Sequence, residues 1–169
     1  DPDNRWIGRQ ARLRLDAEIV RDAALVASGL LAPKLGGPPV FPPIPPGVMS
    51  QGQVAREWPE STGEDRYRRG LYTFFYRATP PPSLRVFDAP DGYSVCTRRT
   101  RSNTPLQALT LMNDAAFFEF AQALEKVIDE QGLEAAFRRC TSRRPHAEEL
   151  AVLEKLDALT AARALLNLD

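Results

Sequence analysis

A chain of 169 residues, 43% hydrophobic and 26% charged, has the size and composition of one globular domain with a core of its own. Its 22 basic and 22 acidic residues cancel, which excludes the strongly basic surface of a general nucleic-acid binder. The longest apolar-or-small run, 23–32, is too short to cross a bilayer, so membrane insertion is not expected.

In chain order, the first expected element is an amphipathic helix over about residues 9–31. Leu13, Ala17, Val20, Ala24 and Ala27 recur at steps of three or four, with Ile19, Ala23, Val26 and Leu30 beside them. Arg9, Arg12, Asp16, Arg21 and Asp22 take the other face, and Pro33 stops the helix. The next region, about 33–103, holds 12 of the 15 prolines. Proline lacks an amide donor and fixes φ, so the run from Gly36 to Gly47 joins neither a helix nor a central strand. Val40, Phe41 and Ile44 are out of place in a solvated linker, so this belt is expected to lie packed on the helices. Within the same region, Leu71, Phe74, Phe75 and Ala78 predict a short helix over 66–77. Residues 83–87 predict one more helical turn, and 88–92 a reverse turn.

From about residue 104 to 168 the sequence is helical. Thr104, Pro105 and Gln107 form a cap, an N1 proline and a capping-box partner. Leu106, Leu109, Leu111 and Met112 make this helix apolar on several sides and predict a deeply buried element. Asp114 is placed to cap a second helix from Ala115 to about Glu130, buried through Phe117, Phe120, Ala121 and Leu124. A helix over 133–140 follows, then one opened by His146 and Glu149, with a last helix over 161–168. The fold class is therefore mainly α: an irregular helical domain carrying a long proline-rich loop region packed on its helices. The chain reads as a single domain, and its start at Asp1-Pro2-Asp3 is expected of a piece of a larger protein.

The strings Leu15-Asp16-Ala17-Glu18-Ile19-Val20-Arg21-Asp22, Gly36-Gly37-Pro38 and Val40-Phe41-Pro42-Pro43 occur in one order with four others. These are Tyr67-Arg68-Arg69-Gly70-Leu71-Tyr72-Thr73-Phe74, Phe87-Asp88-Ala89-Pro90, the run from Arg98 to Leu109, and Met112-Asn113-Asp114. Together they resemble the planctomycete-type C-terminal domain of unknown function found in large exported proteins that often begin with a c-type cytochrome domain. The resemblance implies a periplasmic or otherwise extracytoplasmic location and, as partners, the other domains of a parent protein. Any haem c it implies belongs to an N-terminal domain of the parent; no cofactor is expected in this chain.

The chain offers few candidate sites. Arg98, Arg99, Arg101 and Asn103 run into a helix N-terminus, where free amides and the helix dipole favour an anion. The competing and favoured reading pairs these arginines internally with Asp88, Glu18 and Asp22, pinning the belt to the helices. Glu18 and Asp22 are four apart on one helix and are the candidate acid pair, with Arg21 beside them. His146 is the only histidine, which rules out a His-rich metal site, and no metal is expected. No GxSxG, GxGxxG or P-loop pattern occurs. Cys96 and Cys140 form no CxxC and no haem-attachment motif, and two separate thiols are favoured over a disulfide. Trp58, Tyr67, Tyr72 and Tyr76 add a possible sugar-stacking surface, though core packing is the first expectation for Phe74 and Phe75. The favoured function is a non-catalytic structural or interaction module of an exported multidomain protein. The alternatives are a binding module for an anionic glycan or other anionic ligand, and a hydrolase-like domain using Glu18, Asp22 and Asp88.

Overall fold

A computed structural model describes residues 5–8, 14–52 and 54–168. Among them are seven α-helices and no β-strand. They are α1 (Ala17–Ser28), α2 (Pro82–Val86), α3 (Pro105–Asn113), α4 (Ala115–Gln131), α5 (Leu133–Thr141), α6 (Ala147–Leu153) and α7 (Ala158–Leu166).

The longest helix, α4, organises the rest, packing against α1, α3, α5 and α7. Asp114 starts it by accepting the Ala116 amide at 2.9 Å, which satisfies one of the orphan donors of the first turn. Ala116, Phe117, Phe120, Ala121, Leu124 and Val127 then fall on one stripe and are all buried. The C-terminal end of that stripe meets Ala136 and Phe137 of α5 and Ala162 and Leu165 of α7. Its N-terminal end meets Ala24 and Leu25 of α1. Each large side chain fully buried here contributes roughly 1.5–3 kcal/mol of transfer free energy. A third apolar cluster, Ala17 with Leu84 and Phe87, ties α2 to the start of α1.

The helical region from residue 104 follows the sequence reading closely. Gln107 accepts the Thr104 amide at 3.2 Å, and Glu149 accepts that of His146 at 2.8 Å, as their spacing predicts. Asp157 divides the last leucine-rich stretch into α6 and α7 by accepting the Thr160 amide at 3.0 Å.

Three elements differ from expectation. α1 is shorter than 9–31, running from Ala17 to Ser28, and residues 9–13 lie outside the described set. Its buried face is also rotated. Ile19, Ala23 and Val26 are exposed, whereas Arg21 and Asp22, assigned to the solvent side, are each only 8% exposed. The reason is that α1 packs on the polar backbone of residues 66–70 as well as on α4. α3 is not deep in the core: Leu106 and Leu109 are 57% and 54% exposed, and Gln107 is its buried residue. The amide of Gln107 donates to Val86 O at 2.9 Å and to Ser102 Oγ at 3.1 Å, so a polar side chain anchors this helix.

The third difference is the predicted helix at 66–77. Two single 3-10 turns, Gly63–Tyr67 and Gly70–Tyr72, stand there, followed by extended chain. This segment pairs with the belt. Isolated parallel bridges join Ala32 to Arg68 and Val40 to Thr73. Val40 donates to Tyr72 O and accepts from the Phe74 amide, both at 2.8 Å. Phe41 stacks on Phe74 at 4.9 Å and meets the edge of Trp58 at 5.1 Å, whose indole N–H donates to Pro42 O at 2.7 Å. Of the aromatic residues expected in a helical stripe, Phe74 therefore packs on the belt, and Phe75 packs on the cluster of Ala17, Leu84 and Phe87.

Gly70 sets the approach of this segment to α1. A Cβ there would lie 2.5 Å from Glu18 O and 2.8 Å from its Cα, and helix backbone cannot yield. Gly70→Ala is expected to cost about 1–3 kcal/mol, in the range of overpacked interiors, read as a lowered urea midpoint with an unchanged slope.

Candidate functional site

The polar residues converge on the surface of α1 that faces residues 66–70 and 99–101. Glu18 receives both terminal nitrogens of Arg99, at 2.6 and 3.1 Å. Asp16 lies 3.9 Å from Arg99 and 3.6 Å from Arg101. Asp22 accepts Arg69 Nε at 2.7 Å and the Gly70 amide at 2.6 Å. Asp88, at φ 60°, accepts both the amide and the hydroxyl of Ser102 at 2.7 Å. Thus Glu18, Arg99 and Arg101 come together around Asp16, while Asp22 and Asp88 serve separate loops. Arg98 and Asn103 are exposed. Neither of the two cavities described below is lined by any of residues 98–103.

The strongest features are arginines that sequence reasoning passed over. Arg68 is fully buried. Its guanidinium donates to Pro38 O at 2.9 Å, to Lys34 O at 3.5 Å and to Gly36 O. Its Cζ lies 3.9 Å from the centre of the Tyr72 ring, and Tyr72 Oη in turn accepts the Gly36 amide at 2.8 Å. One cation therefore holds the turn from Lys34 to Pro38 by its carbonyls, with an aromatic face beneath it. Arg21, on α1, donates to Arg66 O at 2.8 Å and Arg68 O at 3.3 Å and sits over the Phe120 ring at 5.4 Å. Burial lowers its pKa to about 10, which leaves it charged near neutrality. Arg66 closes a bidentate pair with Glu119 of α4, at 2.9 to 3.1 Å, and Tyr67 Oη donates to the same carboxylate at 2.5 Å. The run Arg66-Tyr67-Arg68-Arg69-Gly70 was visible as a string. What the string lacked was any signal of which α1 and α4 residues it meets.

Proton affinities follow this pairing. The bond from Arg99 holds Glu18 below the usual glutamate value. Burial pushes Glu119 up, but the bonds from Arg66 and Tyr67 outweigh it and leave a net lowering. Arg143 and the His146 amide hold Glu149 down to about 2. Burial raises Asp114, and burial pushes the Cys140 thiol up to about 11, which makes it a poor nucleophile. Both cysteines are free, Cys96 being exposed. Among the described residues no three His, Cys, Asp or Glu side chains are grouped to hold a metal ion, and no helix is long and apolar enough to cross a membrane.

Of two cavities, the first lies within the network and the second apart from it. One, of 20 Å³, lies between α1, α4 and the belt and includes Arg21, Asp114 and Thr73 in its lining. It has room for a single water and for no organic substrate. The other, of 350 Å³, opens beside α2 and the turn at 91–93.

A helical scaffold clamped to a proline-rich belt by arginines is thus the class of domain that fold and site define. The chain belongs to the family described as PSD1, protein of unknown function (DUF1553), whose model matches residues 1–156. No curated protein and no solved structure matches it.

Two predictions follow from the clamp. Arg68→Met keeps bulk but strands the carbonyls of Lys34, Gly36 and Pro38, and is expected to cost about 2–4 kcal/mol in chemical denaturation, as the loss of charged, buried hydrogen bonds does. The acid limb of stability carries the second. Glu18, Glu119 and Glu149 bind protons less readily in the fold than the ordinary value of 4.5. Their contribution is complete above that value and disappears as pH falls through the lower folded-state values. Asp91 and Asp157, held down by backbone and side-chain hydrogen bonds in their turns, act in the same sense, whereas Asp114, raised from 3.8, acts in the opposite one, so among the described residues one raised acid opposes five lowered ones. Urea midpoints are expected to fall between about pH 4.5 and pH 2, with a shallower fall in Glu119→Gln.

Proposed function

We propose that this domain is a non-catalytic structural and interaction module of an exported multidomain protein, serving to fix the arrangement of neighbouring domains. The observation that carries this reading is the employment of the candidate acids. Glu18 is held by Arg99, Asp22 by Arg69 and Gly70, and Asp88 by Ser102. A general acid needs a raised proton affinity beside a substrate space. Glu18 has a lowered one and lines neither cavity. The parent protein supplies the partners on this reading, and any haem c resides in another of its domains.

The alternative in which Arg98, Arg99, Arg101 and Asn103 capture an anion draws support from the exposure of Arg98 and Asn103. It is weakened at Arg99 and Arg101, whose charges already meet Glu18 and Asp16.

Two variants separate scaffold from catalyst. Glu18→Gln is expected to lower the unfolding free energy by about 1 kcal/mol, the scale of a partly exposed charged pair. The wild-type chain is expected to show no turnover of chromogenic glycosides, esters or sulfate esters. Hydrolysis that disappears in Glu18→Gln or Asp22→Asn, with the fold intact, would contradict the reading.

A further inference from the structure

The 350 Å³ cleft beside α2 is separate from the α1 network. Its volume lies within the usual range for small-molecule sites. Two arginines line it, Arg77 from the extended segment and Arg85 from α2. Arg21, Arg66, Arg68, Arg69 and Arg99 of the clamp each donate to a carboxylate or a carbonyl. Arg77 and Arg85 have no hydrogen-bond acceptor and no carboxylate partner among the described residues. Arg77 instead lies 6.0 Å from the centre of the Tyr93 ring.

The remaining lining is suited to a ring with an apolar face. Tyr93 is 67% exposed, and Phe75 and Pro90 add apolar surface. The turn that presents Tyr93 is built in place. Asp91 Oδ1 accepts the amides of Tyr93 at 2.9 Å and Ser94 at 3.3 Å. Gly92, at φ 74°, brings the turn onto Phe75, where a Cβ would meet the ring at 3.3 Å. These bonds use one oxygen of Asp91. Oδ2 has no partner among the described residues and remains an acceptor at the wall of the cleft.

We propose that this cleft binds an acidic sugar: a pyranose-sized ring bearing a carboxylate or a sulfate. Arg77 and Arg85 take the anion, since a guanidinium fork matches its oxygens. Tyr93 and Phe75 receive the apolar face of the ring. Asp91 selects among anions, because its free Oδ2 accepts a hydroxyl, a donor that a sugar carries and a fully ionised sulfate lacks. The site is independent of the scaffold role and uses none of its clamping residues.

The test is titration of the chain with glucuronate, glucose 6-sulfate, glucose and inorganic sulfate, followed by amide chemical shifts in two-dimensional NMR. Glucuronate, glucose 6-sulfate or both are expected to shift the amides of Ala89, Gly92 and Tyr93 saturably, and which of them does so assigns the anion. Glucose and inorganic sulfate are each expected to bind about tenfold more weakly or worse. Arg77→Ala with Arg85→Ala is expected to weaken the response by at least about tenfold, and Tyr93→Ala to weaken it while the fold's spectrum elsewhere is kept. Four outcomes overturn the proposal: no saturable shift with either acidic sugar, equal response to glucose, equal response to inorganic sulfate, or shifts confined to residues 98–103.

Discussion

A guanidinium withdrawn from water needs acceptors, and the two terminal nitrogens of Arg68 find theirs in the backbone of a proline-rich turn, while its Nε is buried without one among the described residues. The carbonyls of Lys34, Gly36 and Pro38 point at one cation, which rests on the ring of Tyr72. This contact answers the main difficulty posed by the sequence. Prolines leave the belt short of amide donors, so it cannot continue the ladder of a sheet and most of its carbonyls must find donors elsewhere. Arginine supplies five donors in one plane. Arg21 does the same for the carbonyls of Arg66 and Arg68 themselves, linking that segment to α1.

The two halves of the molecule are held by different forces. The C-terminal helices share an apolar core in which Leu124, Ala136, Phe137, Ala162 and Leu165 are almost wholly buried. The N-terminal helix, residues 66–70 and the belt are joined in series by polar contacts, where Arg21, Asp22 and Arg68 are buried beside Gly70. Glu119 joins the two, since α4 carries it at the edge of the apolar stripe and Arg66 and Tyr67 both bind it. Hydrogen-bonded, charged interfaces are costly when partly broken. The belt therefore docks as a unit or fails as one. This also accounts for the paired acids: a carboxylate engaged by a guanidinium and a glycine amide orders chain and has little left for a substrate.

Much of the fold was legible because its signals were local. Asp114, Gln107 and Glu149 act on amides two or three residues away, so spacing alone placed three helix starts. Phe117, Phe120 and Leu124 revealed α4 by period. The errors arose where a distant partner decided. Phe74 and Phe75 have helical spacing, but Val40 claims the backbone at Thr73 and Phe74, from more than thirty residues away. Arg21 and Asp22 look like a solvated face, and only the carbonyls of Arg66 and Arg68 and the Gly70 amide explain their burial. The candidate site was legible in part: pairing of Arg99 with Glu18 was among the expectations, while the partners of Arg68 and Arg66 were not. No pattern in the string marks Arg77 and Arg85 as different from the other arginines, because lining one cleft without a carboxylate partner among the described residues is a property of three dimensions.

Amide hydrogen exchange tests the central claim most directly. If buried arginines weld the belt to the helices, the amides of Val40 and Phe74 exchange as slowly as those in the middle of α4, through global unfolding alone. Fast exchange at Val40 and Phe74, with α4 still protected, would mean that the belt opens by itself and that the arginine clamp does not hold the fold together.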